Sequence, residues 1–119
     1  MSEVRGKQGR YHHGDLKRAM IQGALELMRE GGVAALTLRA AARRAGVSPA
    51  APYRHFADKS ALLAAVAEQG FHMLKEDMGK VAESSPDDPV AAFRSAAIVY
   101  VRFAVTNPAH FRVMFGSEV

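Results

Sequence analysis

The chain reads as all-α, and three observations predict it. Apolar residues recur at helical spacing over most of the length. A capping residue followed directly by proline occurs at Ser48-Pro49, Asp88-Pro89 and Asn107-Pro108, each a signal for a helix start. No stretch alternates apolar and polar residues as a half-buried strand does.

The elements follow in order. Residues 1–10 are polar and carry Arg5, Lys7 and Arg10, which predicts a basic flexible arm. Leu16, Ala19, Met20, Gly23, Ala24, Leu27 and Met28 trace the apolar stripe of a first helix. Gly31-Gly32 ends it, because glycine takes the left-handed conformation without a steric cost. Thr37 can cap a second helix whose inward residues are Leu38, Ala41, Ala42 and Ala45. Gly46 permits a positive φ at the turn that follows, and Val47 is expected to plug the small core.

Ser48 and Pro49 then read as cap and first residue of a short third helix over residues 49–56. Pro52 stands where the first intrahelical hydrogen bond would form, so an irregular first turn is expected. A long fourth helix over residues 59–83 would bury Leu62, Leu63, Val66, Met73, Leu74 and Met78. Ser84-Ser85-Pro86-Asp87 reads as a linker. A fifth helix over residues 90–106 has Phe93, Ala97, Tyr100, Val101 and Ala104 along one side. Phe111, Met114 and Phe115 form the apolar face of a last short helix.

Composition narrows the function classes. The chain has no cysteine, which excludes disulfides and thiolate metal sites. No run of about 18 apolar residues stands out, and no membrane span is expected. Charge is uneven: residues 1–60 hold 11 Lys and Arg against 5 Asp and Glu, and residues 61–119 hold 5 against 7. A basic first half suits a polyanionic partner. His12-His13 is not a metal site, since adjacent histidines diverge and no third ligand stands at helical spacing. No phosphate loop, no nucleophile with a base and no carboxylate pair occurs, so neither an enzyme nor a cofactor is expected.

The second and third helices, joined at Gly46, form a helix-turn-helix of the homeodomain-like kind. This arrangement places side chains in the major groove of DNA. Arg54 can pair with a phosphate or reach guanine O6 and N7, while Tyr53 and His55 can donate to phosphates. Ala50 and Ala51 are small enough to let the backbone approach base edges and thymine methyls. Thr37 and Arg39 point toward the same surface. Lys59 opposes the helix dipole at its position, which makes sense where a phosphate binds.

These residues carry a resemblance. The run from Tyr11-His-His-Gly-Asp-Leu16, through Leu36-Thr-Leu-Arg39, to Ala45-Gly-Val-Ser-Pro-Ala-Ala-Pro-Tyr-Arg-His-Phe-Ala-Asp-Lys-Ser-Ala-Leu-Leu63 resembles the DNA-binding domain of the TetR/AcrR family of bacterial transcriptional regulators. It covers about residues 11–65. The segment Tyr100-Val-Arg-Phe-Ala-Val-Thr-Asn-Pro-Ala-His-Phe-Arg-Val-Met-Phe115 is similar to the start of the regulatory domain in one subgroup.

The resemblance implies a cytoplasmic, homodimeric repressor of a palindromic operator, released when a small-molecule effector binds the helical regulatory domain. By position it makes Arg39 a base contact and Tyr53, His55 and Lys59 phosphate contacts, and it puts Ser48, Pro49, Ala50 and Ala51 where sequence preference is set. It divides the chain into an arm (1–10), a DNA-binding domain (11–58), and a linking helix with a truncated regulatory domain (59–119). Family members continue beyond the position of Val119 with helices that close the pocket and form the dimer interface. Phe93, Tyr100, Phe103, Phe111 and Met114 are the candidate effector contacts, although an ordinary helical core, or half of one, accounts for them better. Two other readings stay open: a helical protein-interaction module, and a ligand-binding protein that does not touch DNA.

Overall fold

A computed structural model describes residues 13–84 and 87–116. The arm with Arg5, Lys7 and Arg10, together with Tyr11, His12, Ser85 and Pro86, lies outside the described residues. Among the described residues the structure is all-helical. The helices are α1 (His13–Gly31), α2 (Leu38–Ala45), α3 (Lys59–Ser84), α4 (Pro89–Thr106) and α5 (Pro108–Phe115), with 3-10 turns at Val33–Ala35 and Ala51–Arg54. The chain forms two compact units, one ending at Ala65 and the other starting at Val66, so the division falls inside α3.

The first unit is built on α1 crossing α2. Met20, Ile21, Ala24, Leu25 and Met28 of α1 are buried, as are Leu36, Leu38, Ala41, Ala42, Phe56, Leu62 and Leu63. The buried stripe of α1 thus takes in Ile21 and Leu25, while the expected Leu27 is only half-buried. Gly23 is what lets the two helices meet: a Cβ there would lie 2.9 Å from the carbonyl oxygen of Ala41. A cation also ties them. Arg44 forms a fork on Glu30, Nη1 to Oε2 at 2.7 Å and Nη2 to Oε1 at 3.0 Å, and reaches Glu26 at 3.4 Å.

Both ends of α2 are closed as the residues predict. The Thr37 hydroxyl accepts from the amide of Ala40 at 2.9 Å. At the other end Gly46 has φ +77°, its amide donates to Arg43 and the amide of Val47 donates to Ala42. This is the paired Schellman closure, and it needs a residue without Cβ strain at position 46. Val47 and Ala45 are half-buried rather than core.

In the second unit α5 lies against α3 and α4. Gly70 of α3 gives room for Met114 of α5, whose Sδ would sit 2.5 Å from a Cβ at position 70. Asp88 caps α4 by accepting from the amide of Ala91. Asn107 marks the start of α5 as expected, but its side chain makes no cap there. Its Nδ2 donates instead to the Phe103 carbonyl at the end of α4.

Three expectations about buried faces need correction. Phe103 is the buried aromatic of α4, flanked by half-buried Ala92, Ala96 and Val99, while Phe93, Ala97 and Val101 are exposed. The helix is apolar on both sides, so periodicity could not choose between them. On α5 it is His110 and Val113 that are buried, with Phe111 and Met114 half-buried and Phe115 exposed. On α3, Met73 and Met78 are half-buried rather than core. Finally, α4 is long and apolar enough to cross a membrane by length and composition, where no such helix was expected.

Candidate nucleic-acid interface

Residues 49–56 were expected to form a short α-helix, and they form a tighter element. The amides of Ala51, Tyr53 and His55 donate to Ser48, Ala50 and Pro52, each three residues back. Only the last bond, from Phe56 to Pro52 at 2.8 Å, has α-helical spacing. Pro49 and Pro52 remove two amide donors from eight residues, and this favours the shorter repeat. Ser48 makes no side-chain cap, and Ala50 stands at the cap position. Pro52 is fully buried, so its ring anchors the turn from inside.

Anchoring Pro52 and Phe56 inward turns the residues between them outward. Tyr53 is 60% exposed, and Arg54 is exposed beside it. His55 is half-buried and meets the ring of Phe56 edge-on at 6.4 Å. Ser48, Pro49 and Ala50 are exposed and Ala51 is half-buried. The 3-10 turn packs on α2, whose capped start carries exposed Thr37 and Arg39. Thr37 spends its acceptor on the cap, which leaves its hydroxyl hydrogen for another partner.

Lys59 has a partner the sequence did not indicate. Its Nζ donates to the carbonyl of Val33 at 2.8 Å, tying the start of α3 to the 3-10 turn after α1. Two ammonium hydrogens remain for other acceptors. Asp58 caps α3 by accepting from the amide of Ala61 at 3.0 Å. That amide is therefore not available to an anion, and the expected convergence of amides and ammonium is reduced by one donor. No signal in the sequence pointed to Val33, because a carbonyl partner leaves no side-chain pattern.

The expected effector residues, all in the second unit, divide. Tyr100 meets Phe111 at 5.7 Å and Phe115 at 6.2 Å, and Phe115 also meets Phe71 at 5.5 Å. Phe103 is core and Met114 packs at Gly70. Phe93 is 77% exposed and takes no part in these ring contacts. Phe71 was not among the expected residues, nor was a polar pair inside the unit: His110 is 6% exposed, with Nε2 2.7 Å from Oε1 of Gln69. Among the described residues no cluster of side chains could hold a metal ion.

Comparison with known proteins places this geometry. Residues 20–66 match the bacterial regulatory proteins of the tetR family. Those residues carry a tetR-family domain. The matched span runs from α1 into α3 and contains every candidate DNA contact named above. Two curated relatives are the HTH-type transcriptional regulators Rv1816 of Mycobacterium tuberculosis and Mb1846 of Mycobacterium bovis. Each is 33% identical over 93 residues, covering 74% of this chain and 38% of the relative. The chain thus spans well under half the length of these relatives. A solved structure from Rhodococcus sp. RHA1, of unknown function, is 40% identical with a TM-score of 0.75. The match covers 88% of this chain and 54% of that one. A Lactobacillus plantarum structure at 17% identity and TM-score 0.62 covers 82% of this chain and 55% of its own, and shares the fold alone.

Proposed function

We propose that this chain is a sequence-specific DNA-binding transcriptional regulator, acting as a repressor in the cytoplasm and not as an enzyme. One observation carries the reading. Buried Pro52 and Phe56 hold an exposed Tyr53-Arg54 tip outward on a turn that packs against α2. In this reading Tyr53, His55 and Lys59 contact phosphates, and Thr37, Arg39, Arg54 and residues 48–51 face the groove. Ala50 and Ala51 offer no side-chain hydrogen bonds, so part of the selectivity comes from DNA shape.

The finer reading is a homodimer on a palindromic operator, released by a small-molecule effector bound among the aromatic residues of the second unit. Supporting it are the tetR-family match over residues 20–66 and the Tyr100, Phe111 and Phe115 cluster. Effector control requires a coupling free energy of about 1–3 kcal/mol between the two sites. Selection of bound duplexes from a random-site library at two salt concentrations, read alongside sedimentation, tests the whole reading. The expected result is an enriched palindrome whose binding weakens with salt. Binding that selects no sequence, or none at all, would refute it.

A further inference from the structure

Ala50 and Ala51 have the same side chain, but the turn sets them in different surroundings. Ala50 is exposed and Ala51 is half-buried. The 3-10 repeat accounts for the difference. It has about three residues per turn, so side chains three apart lie in line. Ala50, at φ −83° and ψ −24°, already has helical backbone just ahead of the turn. It therefore stands in line with Tyr53, which is 60% exposed. Ala51 stands between Ala50 and the fully buried Pro52, and is partly covered.

The exposed start of the turn offers a ligand chiefly carbon. Pro49 presents a ring and Ala50 a methyl group, and both are exposed. Pro49 and Pro52 have no amide hydrogen, and that of Ala51 is engaged by the Ser48 carbonyl at 3.1 Å. Ser48 has the only polar side chain in residues 48–52. In the major groove, guanine, cytosine and adenine present nitrogen and oxygen atoms, and thymine alone adds a methyl group. A nitrogen or oxygen edge set against Pro49 and Ala50 gives up water and gains no side-chain partner. A thymine methyl set there leaves water, which is favourable. Both effects select thymine.

We infer that Ala50, flanked by Pro49, is a thymine-reading residue whose methyl group packs on the C5-methyl of a thymine in the bound site. This rests on the DNA-binding reading and deepens it, assigning one residue and one base where that reading has residues 48–51 facing the groove. Part of the selectivity then comes from a direct apolar contact and not from DNA shape.

Deoxyuridine differs from thymidine by the C5-methyl alone, so it removes the contact and keeps the base pair. Each thymine of the duplex selected by the 119-residue chain is replaced in turn. At one position affinity is expected to fall about fourfold, the worth of one buried carbon. The salt slope should not change there, because no phosphate contact is lost. Ala50→Gly should bind the thymine duplex about fourfold more weakly and should no longer distinguish the two bases at that position. Ala50→Ser, which restores a Cβ but no methyl group, should also lower the ratio, while Ala51→Gly should keep it. The ratio is taken within each variant, so any loss of folded protein cancels.

Failure to select any site refutes the DNA-binding reading, and the thymine contact falls with it. A selected site without thymine, or one indifferent to deoxyuridine at every position, keeps that reading and overturns the contact. A thymine preference that survives in both Ala50 variants, or that Ala51→Gly also removes, overturns the assignment to Ala50, since shape or another residue then supplies it.

Discussion

Arg54 and Lys59 represent two kinds of DNA contact that one binding assay separates. Arg54→Ala should cost about 1–3 kcal/mol on the best site and relax preference at one base position. Lys59→Ala should weaken all sequences alike and reduce the salt slope by about 1. It should also lower the melting temperature, because Nζ holds the Val33 carbonyl as well. A third residue-scale effect concerns pH. The hydrogen bond from Arg44 holds the Glu30 carboxyl below its ordinary range, its positive charge adding to the effect while desolvation opposes it. A carboxyl depressed in the folded state stabilises the fold above its unfolded value, and that contribution fades as pH falls through the depressed one. The melting temperatures of wild type and Glu30→Gln should therefore differ at neutral pH and converge in acid. The difference should be small, because the pair is exposed.

At the scale of the element, the contact between α1 and α2 is the most sensitive feature. Gly23→Ala gains about 1 kcal/mol of helix propensity. It also drives a methyl group to 2.9 Å from a backbone oxygen, which costs about 1–3 kcal/mol, so a net loss in denaturant midpoint is expected. Thr37→Ala should cost about 1 kcal/mol through the lost cap. The recognition element shows how local chemistry can select a neighbouring conformation. The Ser48-Pro49 pair marked where the chain turns, but Ser48 does not cap the element, which starts at Ala51. Two prolines so close together then favoured 3-10 bonding over an α-helix, and burial of Pro52 fixed which side faces out.

For the whole molecule, about four neutralised phosphates per subunit predict a log–log salt slope of about −3.6 for each subunit bound. Affinity independent of salt would count against a phosphate-positioned interface. Both helix-turn-helix boundaries, the long α3 and the starts of α4 and α5 were legible, because glycine, proline and capping residues act within a few residues of themselves. The exposed tip was legible too, as the run from Gly46 to Phe56 carries its own turn chemistry. The inward side of α4 was not, since both of its sides are apolar and only tertiary packing chose Phe103. Nor were the carbonyl partner of Lys59 and the Gln69–His110 pair, 26 and 41 residues apart in sequence. The sequence by itself determined an all-helical chain, its punctuation and its candidate DNA-facing residues, since those depend on backbone preferences and short-range hydrogen bonds. Tertiary structure alone decided which apolar faces are covered and which cations are already engaged, because burial and long-range pairing depend on what the rest of the chain brings alongside.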